Sequence, residues 1–156
     1  MDRTETDERG SEASPGEAKV PENPSLMAAL GNGRVISVDA EKGRAVLEYE
    51  ALPQFIHAGG AVQGGFVTGW IDSAMAHAAM AYGGAHTESS WFATLEVKIS
   101  FYRPAVRGIY RAEGWVEKSG RSACFTGGRL LDSKGRVIAA GTSTGTWAPR
   151  PGGDKR

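Results

Sequence analysis

The sequence is poor in cysteine, in net charge and in long apolar runs. Its one cysteine, Cys124, excludes an internal disulfide and a multi-cysteine metal site, and predicts a small buried thiol. Eighteen Lys and Arg residues balance eighteen Asp and Glu residues, which argues against a protein that coats nucleic acid or an anionic membrane. No apolar run is long enough to span a bilayer, and the N-terminus lacks the apolar core of a signal peptide. We therefore expect a soluble, cytoplasmic protein with no nucleic-acid partner and no membrane partner.

The length of 156 residues suits one domain with its own core. Residues 1–24 are rich in Glu, Asp, Ser, Pro and Gly and contain almost no core-forming side chain, which predicts a disordered N-terminal tail. Residues 148–156 predict a flexible C-terminal tail of similar composition. The folded domain is expected over residues 25–147.

The spacing of apolar residues predicts a short helix, a hairpin and then one long helix. The short helix is expected over residues 25–30, with Ser25 as its N-cap. Residues 34–51 predict the hairpin. The stretch GGFVTGWIDSAMAHAAMAY is apolar or small almost throughout and is followed by two glycines, which predicts the long helix over residues 65–82.

Four strands are predicted after the long helix. The clearest is FATLEVKISFYR, in which every second residue from Leu95 to Phe101 is apolar. Turn sequences at residues 119–121 and 132–136 separate the last three strands. The prediction is three consecutive hairpins in an antiparallel meander.

The long helix is apolar on all sides, and such a helix must be enclosed by protein. A curved sheet on one side and a second copy of the chain on the other would enclose it. The helix, ~27 Å long at 1.5 Å per residue, matches the width of six strands ~4.8 Å apart. The predicted fold class is α+β, with one long central helix wrapped by a curved, mainly antiparallel six-stranded sheet.

Asp72 is a carboxylate in the middle of this apolar helix. The positions one turn away offer it no cation, since they are Thr68, Gly69, Met75 and Ala76. Burial of an isolated carboxylate costs several kcal/mol. Asp72 is therefore either bonded to backbone amides or an arginine from elsewhere, or it is used in chemistry.

Gly64 and Gly65 stand where the loop turns into the long helix. Free N–H groups and the positive end of the helix dipole point outward there, and the missing side chains let a carbonyl oxygen approach. The alternative is close packing of the glycines against a strand. Gly65 and Asp72 are ~10 Å apart along the axis, so one reacting carbonyl does not easily reach both. If both serve one reaction, each site takes Gly65 from one chain and Asp72 from its partner, which predicts a two-fold symmetric homodimer.

Two long stretches carry a family resemblance: HAGGAVQGGFVTGWIDSAMAHA, and the segment from TLEVKISFYRP to GTSTGTW. Residues 57–147 resemble the hotdog-fold acyl-CoA thioesterases of the phenylacetate-degradation (PaaI-like) group. The resemblance implies hydrolysis of an acyl-CoA thioester by a homodimer or a dimer of dimers. It implies no cofactor, because CoA enters as part of the substrate, and no metal is expected because the three histidines lie apart without Cys or clustered acids.

The resemblance also implies roles for five residues in catalysis. Asp72 matches the helical acid that acts as nucleophile or as general base. Gly65 matches the amide that polarises the thioester carbonyl, and Thr94 matches a strand hydroxyl that helps to place the water. Relatives commonly carry Asn at the position of His57 and His at the position of Gln63. Gln63 still donates a hydrogen bond, and His57 adds a titratable group unless it is only a solvated loop residue.

The substrate-binding residues are expected to form an acyl pocket beside the helix and a cationic rim for the CoA phosphates. Candidate wall residues, for which core packing is the alternative, are Trp70, Trp91, Phe92 and Phe55, with Gly64 at the helix start. Candidate rim residues are Arg103, Arg107, and Arg121 after the Gly120 turn.

The remaining histidines give no metal-binding pattern. His77 lies ~140° around the helix from Asp72 and is interpreted as a structural or interface residue, while His86 has no visible partner. Two rival functions stay open. A hotdog hydratase or dehydratase would pair a histidine with the helical acid, and a non-enzymatic acyl-CoA-binding protein would tolerate loss of Asp72.

Overall fold

The computed structural model describes residues 20–84 and 89–150. Two α-helices, a short 3-10 turn at Pro53–Phe55 and six strands make up this part of the chain. The helices are α1 (Pro24–Ala29) and α2 (Gly64–Gly83). The strands are β1 (Arg34–Asp39), β2 (Arg44–Glu50), β3 (Ser90–Phe101), β4 (Ile109–Ser119), β5 (Cys124–Leu131) and β6 (Val137–Pro149).

The six strands form one sheet in the order β1-β2-β4-β5-β6-β3, and every neighbouring pair is antiparallel. The hairpins β1–β2, β4–β5 and β5–β6 are as predicted. The predicted β3–β4 hairpin is wrong, because β3 pairs with β6 and β4 pairs with β2. The reason is the connection of residues 102–108, which is too long for a tight turn. It contains Pro104 and carries the chain across two strands to a new position.

Helix α2 crosses the sheet and contacts all six strands. The sheet lets the helix approach closely at Gly114 in β4, where a Cβ atom would lie 2.2 Å from the carbonyl oxygen of Ala74. Trp70 and Met75 are fully buried between helix and sheet. This confirms the predicted fold class: an α+β hotdog fold with one long helix wrapped by an antiparallel six-stranded sheet.

The predicted boundaries need small corrections. Helix α1 begins at Pro24, and its N-cap is Asn23, not Ser25; the Asn23 Oδ1 accepts hydrogen bonds from the amides of Ser25 and Leu26. Pro24 is favourable at the first helical position, so Asn23, which caps as well as Ser does, takes the N-cap position and Ser25 falls within the first turn. Strand β6 continues to Pro149, two residues past the expected end of the domain. None of the helices in the described ranges has the length and apolar character needed to cross a membrane.

Strand β3 is an edge strand whose apolar side chains are left uncovered in the single chain. Leu95 is 68% exposed, and Val97 and Phe101 are exposed as well. A β-bulge between Thr94 and Glu96 interrupts the alternation predicted for this strand, and Leu95 lies at the bulge. The free edge of β3 therefore presents both unpaired backbone groups and apolar surface.

Candidate active site

Asp72 lies in a pocket of about 570 Å³ between α1, α2 and the start of β3. This volume is within the range of small-molecule sites. From α2 the pocket is lined by a stripe with helical spacing: Gly69, Asp72, Ser73, Ala76, His77 and Met80. The opposite walls come from residues 20–23, from three apolar residues in and after α1, and from residues 91–94 of β3.

The Asp72 carboxylate is held by a hydroxyl and not by a cation. Thr94 Oγ1 donates a 2.9 Å hydrogen bond to Asp72 Oδ1. Within the described residues no Lys or Arg forms an ion pair with Asp72. Burial raises the pKa of the Asp72 carboxyl, and the bond from Thr94 partly opposes that rise. Over residues 20–84 and 89–150, neither of the structural alternatives for this carboxylate, an arginine or backbone amides, is its partner.

The start of α2 is closed by its own N-cap residue. Gln63 Oε1 accepts a 2.6 Å hydrogen bond from the Gly65 amide, so this N–H is occupied in the single chain. Both residues are exposed to solvent. At Gly64, close packing against a strand is part of the reason for glycine, because a Cβ atom would lie 3.2 Å from the Phe101 ring.

A second pocket, of about 390 Å³, lies at this glycine end of α2. Its lining includes His57, Gly64, Phe101 and Arg103, and it shares no residue with the Asp72 pocket. His57 is exposed, and its Nδ1 accepts a hydrogen bond from the Gly59 amide. The single chain therefore keeps the acid with Thr94 in one pocket and the glycine end of the helix with His57 in another.

The four aromatic wall candidates divide into two groups. Trp91 and Phe92 line the Asp72 pocket. The expectation for Trp70 is wrong: it is 0% exposed, stacks on Tyr49 and Tyr110, and donates its indole N–H to the Leu30 carbonyl oxygen. Phe55 is also a core residue. Its side chain is buried and stacks on Phe66, with ring centroids 3.9 Å apart.

The cationic rim candidates lie at three places. Arg103 lines the second pocket and donates from Nη1 to the Val137 carbonyl oxygen at 2.7 Å. Gly120 and Arg121 lie in the β4–β5 turn and line neither pocket. Arg107 is exposed in the β3–β4 connection.

His77 is the residue of the Asp72 pocket that the sequence analysis missed. The helical angle of ~140° between the two residues is compatible with a shared pocket, because the pocket spans the whole stripe between them. Viewed around the helix axis, the positions of Gly69, Ala76 and Met80 fall between those of Asp72 and His77. Their side chains are small or apolar. The third histidine of the sequence, His86, lies outside the described residues.

Known proteins resemble this chain in sequence and in fold. The model of the thioesterase superfamily matches residues 59–139, slightly more than half of the chain and including both Asp72 and Thr94. A curated protein of Saccharolobus solfataricus, named "Putative esterase", is 30% identical over 110 residues, which cover 70% of this chain and 74% of that protein. The chain belongs to the thioesterase superfamily.

Solved structures of this superfamily have the same fold. A structure from Ralstonia eutropha, titled a "putative thioesterase, phenylacetic acid degradation-related protein", aligns with a TM-score of 0.71 and 30% identity over 81% of this chain and 92% of its own. The E. coli PaaI protein from the phenylacetic acid degradation operon aligns with a TM-score of 0.71 and 20% identity, over 80% of this chain and 85% of its own. Membership of the thioesterase superfamily supports a hydrolase that acts on thioesters, and the fold agrees with the PaaI-like group.

Proposed function

We propose that this protein hydrolyses acyl-CoA thioesters to the free acid and CoA, with Asp72 as the reacting acid. The single observation that carries the proposal is the Asp72 carboxylate: half-buried, held only by Thr94 among the described residues, and open to a pocket of about 570 Å³. A carboxylate without a cation keeps its basicity and nucleophilicity. The raised pKa of Asp72 acts in the same direction.

Asp72 attacks the thioester carbonyl carbon and expels the CoA thiolate, or it removes a proton from a water that attacks the same carbon. In the first case water then hydrolyses the mixed anhydride. Thr94 serves both routes, because its proton is committed to Asp72 and its lone pairs are left to accept a hydrogen bond from the water. The acyl group lies against Trp91 and Phe92 in the Asp72 pocket.

The carbonyl oxygen is polarised by the amide of Gly65 at the positive end of α2. In the single chain this amide is bonded to Gln63 Oε1, and the exposed Gln63 side chain has room to rotate away when a thioester oxygen takes its place. Gln63 can then donate a hydrogen bond from its own side-chain amide nitrogen.

The active unit is a homodimer in which each site combines the Asp72 pocket of one chain with the glycine end of the other. Two features support this step. The two half-sites line separate pockets of one chain, and β3 presents an uncovered apolar edge next to Thr94. Pairing of two β3 edges around a two-fold axis covers that edge.

The test is a panel of short, long, branched and aryl acyl-CoAs, with detection of the released thiol. Wild-type protein is expected to release CoA from at least one substrate, and Asp72→Asn is expected to lose this activity while it keeps the fold. Hydration of an unsaturated acyl-CoA without thiol release would favour a hydratase. Ligand-induced thermal stabilisation without turnover would favour an acyl-CoA-binding protein.

A further inference from the structure

One wall of the Asp72 pocket is a short segment that precedes α1. Residues 20–23 line this pocket, and they lie outside residues 59–139, which the superfamily model matches. The proposed reaction gives this segment no role. Its part in the pocket therefore lies outside what the family match covers.

The segment is held against the domain at its two ends. Val20 packs against a small buried cluster, which consists of Ala79, Met80, Phe92 and Cys124. Asn23 caps α1 with its side chain, and its carbonyl oxygen accepts a hydrogen bond from the Met27 amide. Among the described residues, none forms a backbone hydrogen bond with residues 20–22. The apolar packing of Val20 therefore holds the start of the segment in place.

The pocket extends from Asp72 and Thr94 toward Val20. Along α2 its lining continues from Asp72 to Met80, eight residues or ~12 Å further on. Along β3 it continues from Thr94 to Trp91, which is ~10 Å at ~3.3 Å per residue. Met80 belongs to the cluster against which Val20 packs. Val20 therefore stands at the end of the pocket that is remote from the Asp72 carboxylate.

The opposite direction along α2 offers little room. Gly69 lies three residues before Asp72, which is ~4.5 Å along the axis. A Cβ atom on Gly69 would lie 3.9 Å from the Leu30 side chain, which also lines the pocket. An acyl chain whose carbonyl is held at Asp72 can therefore extend toward Val20 but not far toward Leu30.

We propose that Val20 ends the acyl site and thereby limits the length of the acyl chain. The proposal rests on the thioesterase function above and names the substrate class as acyl thioesters of medium chain length. An extended chain covers the ~12 Å from Asp72 to Met80 in about eight bonds or slightly more, at ~1.5 Å per bond. Chains of up to about ten carbons therefore fit before they reach Val20, and longer chains must displace the segment.

The experiment measures kcat/KM for straight-chain acyl-CoAs from butyryl-CoA to palmitoyl-CoA in steps of two carbons, all below their critical micelle concentrations. Each methylene that enters an apolar site contributes about fourfold, so the wild-type values should rise with chain length. The rise should end near decanoyl-CoA. Dodecanoyl-CoA should then be hydrolysed about tenfold less efficiently, because it overfills the site.

Two substitutions at Val20 should move this limit in opposite directions. Val20→Ala removes two methyl groups from the end of the site and should raise the ratio of kcat/KM for dodecanoyl-CoA to that for octanoyl-CoA by about tenfold. Val20→Phe adds bulk at the same place and should move the best substrate to a shorter chain. A segment that only came loose from the domain would favour longer chains in both variants.

Val106 supplies the matched control. It is 52% exposed in the connection between β3 and β4, and it does not line the Asp72 pocket. Val106→Ala and Val106→Phe should leave the length profile as in wild-type protein. Because the readout is a ratio between substrates, a general loss of activity does not affect it.

The outcomes separate this inference from the proposed function. An unchanged length profile in both Val20 variants overturns the role of Val20 and leaves the thioesterase proposal intact. The same holds for a shift to longer chains in both variants, for wild-type values that rise steadily to palmitoyl-CoA, and for hydrolysis of aryl or branched acyl-CoAs alone. Failure of wild-type protein to hydrolyse any acyl-CoA overturns both proposals. The wild-type profile needs no variant to fold.

Discussion

Thr94 on strand β3 and Asp72 on helix α2 are joined by a hydrogen bond of 2.9 Å from hydroxyl to carboxylate, in the wall of the Asp72 pocket. The bond joins the edge strand to the helix at the Asp72 carboxylate. It also lowers the pKa of Asp72, against the larger effect of burial, which raises it. Under the proposed function, both the chemistry and its pH dependence therefore depend on this pair.

Replacement of Asp72 by Asn should remove activity and stabilise the fold at neutral pH. We expect turnover to fall by about 10²–10⁴-fold or more, the contribution typical of a positioned acid–base group. The folded-state pKa of Asp72 lies above its ordinary value of 3.8, so ionisation of Asp72 destabilises the folded chain. That penalty is absent below pH 3.8 and fully present above the raised pKa, so it weakens wild-type protein at pH 7.

Denaturant unfolding at pH 7 and at about pH 3 measures the stability effect. Asp72→Asn should exceed wild-type protein in free energy of unfolding at pH 7 and match it near pH 3. Asp132→Asn is the matched control of opposite sign, because hydrogen bonds from Arg136 and Lys134 lower the pKa of Asp132. It should lose stability at pH 7. A less stable Asp72→Asn protein at pH 7 would contradict the assignment of Asp72 as a strained, functional carboxylate.

Thr94→Val should shift the pH profile of kcat/KM. Loss of the hydroxyl removes the bond that lowers the pKa of Asp72, so that pKa rises further. Activity falls as the pH drops through this pKa, and the acidic limb of the profile should therefore move to higher pH in Thr94→Val. Thr94→Ser keeps the hydroxyl and should keep the limb close to its wild-type position. An unchanged limb in Thr94→Val would show that Asp72 does not govern the acidic side.

Removal of the indole should mainly lower stability at Trp70 and mainly change substrate binding at Trp91. Trp70 is fully buried and bonds to Leu30, so Trp70→Ala should cost about 3–5 kcal/mol of unfolding free energy. Trp91 is 38% exposed on the pocket wall, so Trp91→Ala should cost less than about 1 kcal/mol and instead change KM among acyl groups. Thermal melts and steady-state kinetics on both variants measure the contrast. Equal losses of stability would show that Trp91 belongs to the core.

These two tryptophans illustrate what the sequence could predict. Period-two alternation, β-rich runs and turn sequences predicted the six strands, and the apolar run with its flanking glycines predicted the long helix, because those signals are local. The position of Trp70 could not be predicted from the sequence. Its partner Leu30 lies forty residues away, and a helix that is apolar on all sides does not indicate which way this side chain points. The pairing of β3 with β6 is likewise a tertiary choice that no local pattern encodes.

The residues of the candidate site were predicted by arguments other than local periodicity. Asp72 was identified from burial cost, Gly65 from its place at the start of the long helix, and Thr94 from a family resemblance. His77 was set aside on its helical angle alone, which is insufficient because a pocket can span ~140° of a helix whose middle residues are small or apolar.

A charge on the exposed apolar side of β3 should separate the two chains of the proposed homodimer. Val97 is exposed in the single chain and follows Leu95 on the edge strand. Val97→Lys should therefore yield a folded monomer with little activity, measured by light scattering after size exclusion together with thiol release. Ser100→Lys places the same charge on the other face of the same strand and should leave the dimer intact. A dimeric, active Val97→Lys protein would locate the interface elsewhere.

Mixing two inactive variants should restore activity if each site draws on both chains. Gly65→Pro removes the N–H that would polarise the carbonyl, at a first-turn position where proline breaks no helical hydrogen bond. Asp72→Asn removes the acid. In a heterodimer of the two, one site has both wild-type halves and the other has neither.

Random reassociation of equal amounts should then give about a quarter of wild-type turnover, because half of the dimers are mixed and each has one intact site. Gly65→Ala keeps the N–H and adds a Cβ atom only against the movable Gln63 side chain, so it should stay active alone and serve as the control. Heterodimers isolated by two different affinity tags ensure that exchange has occurred. If such heterodimers remain inactive, the acid and the amide act within one chain, and the partner contributes only the wall of the pocket.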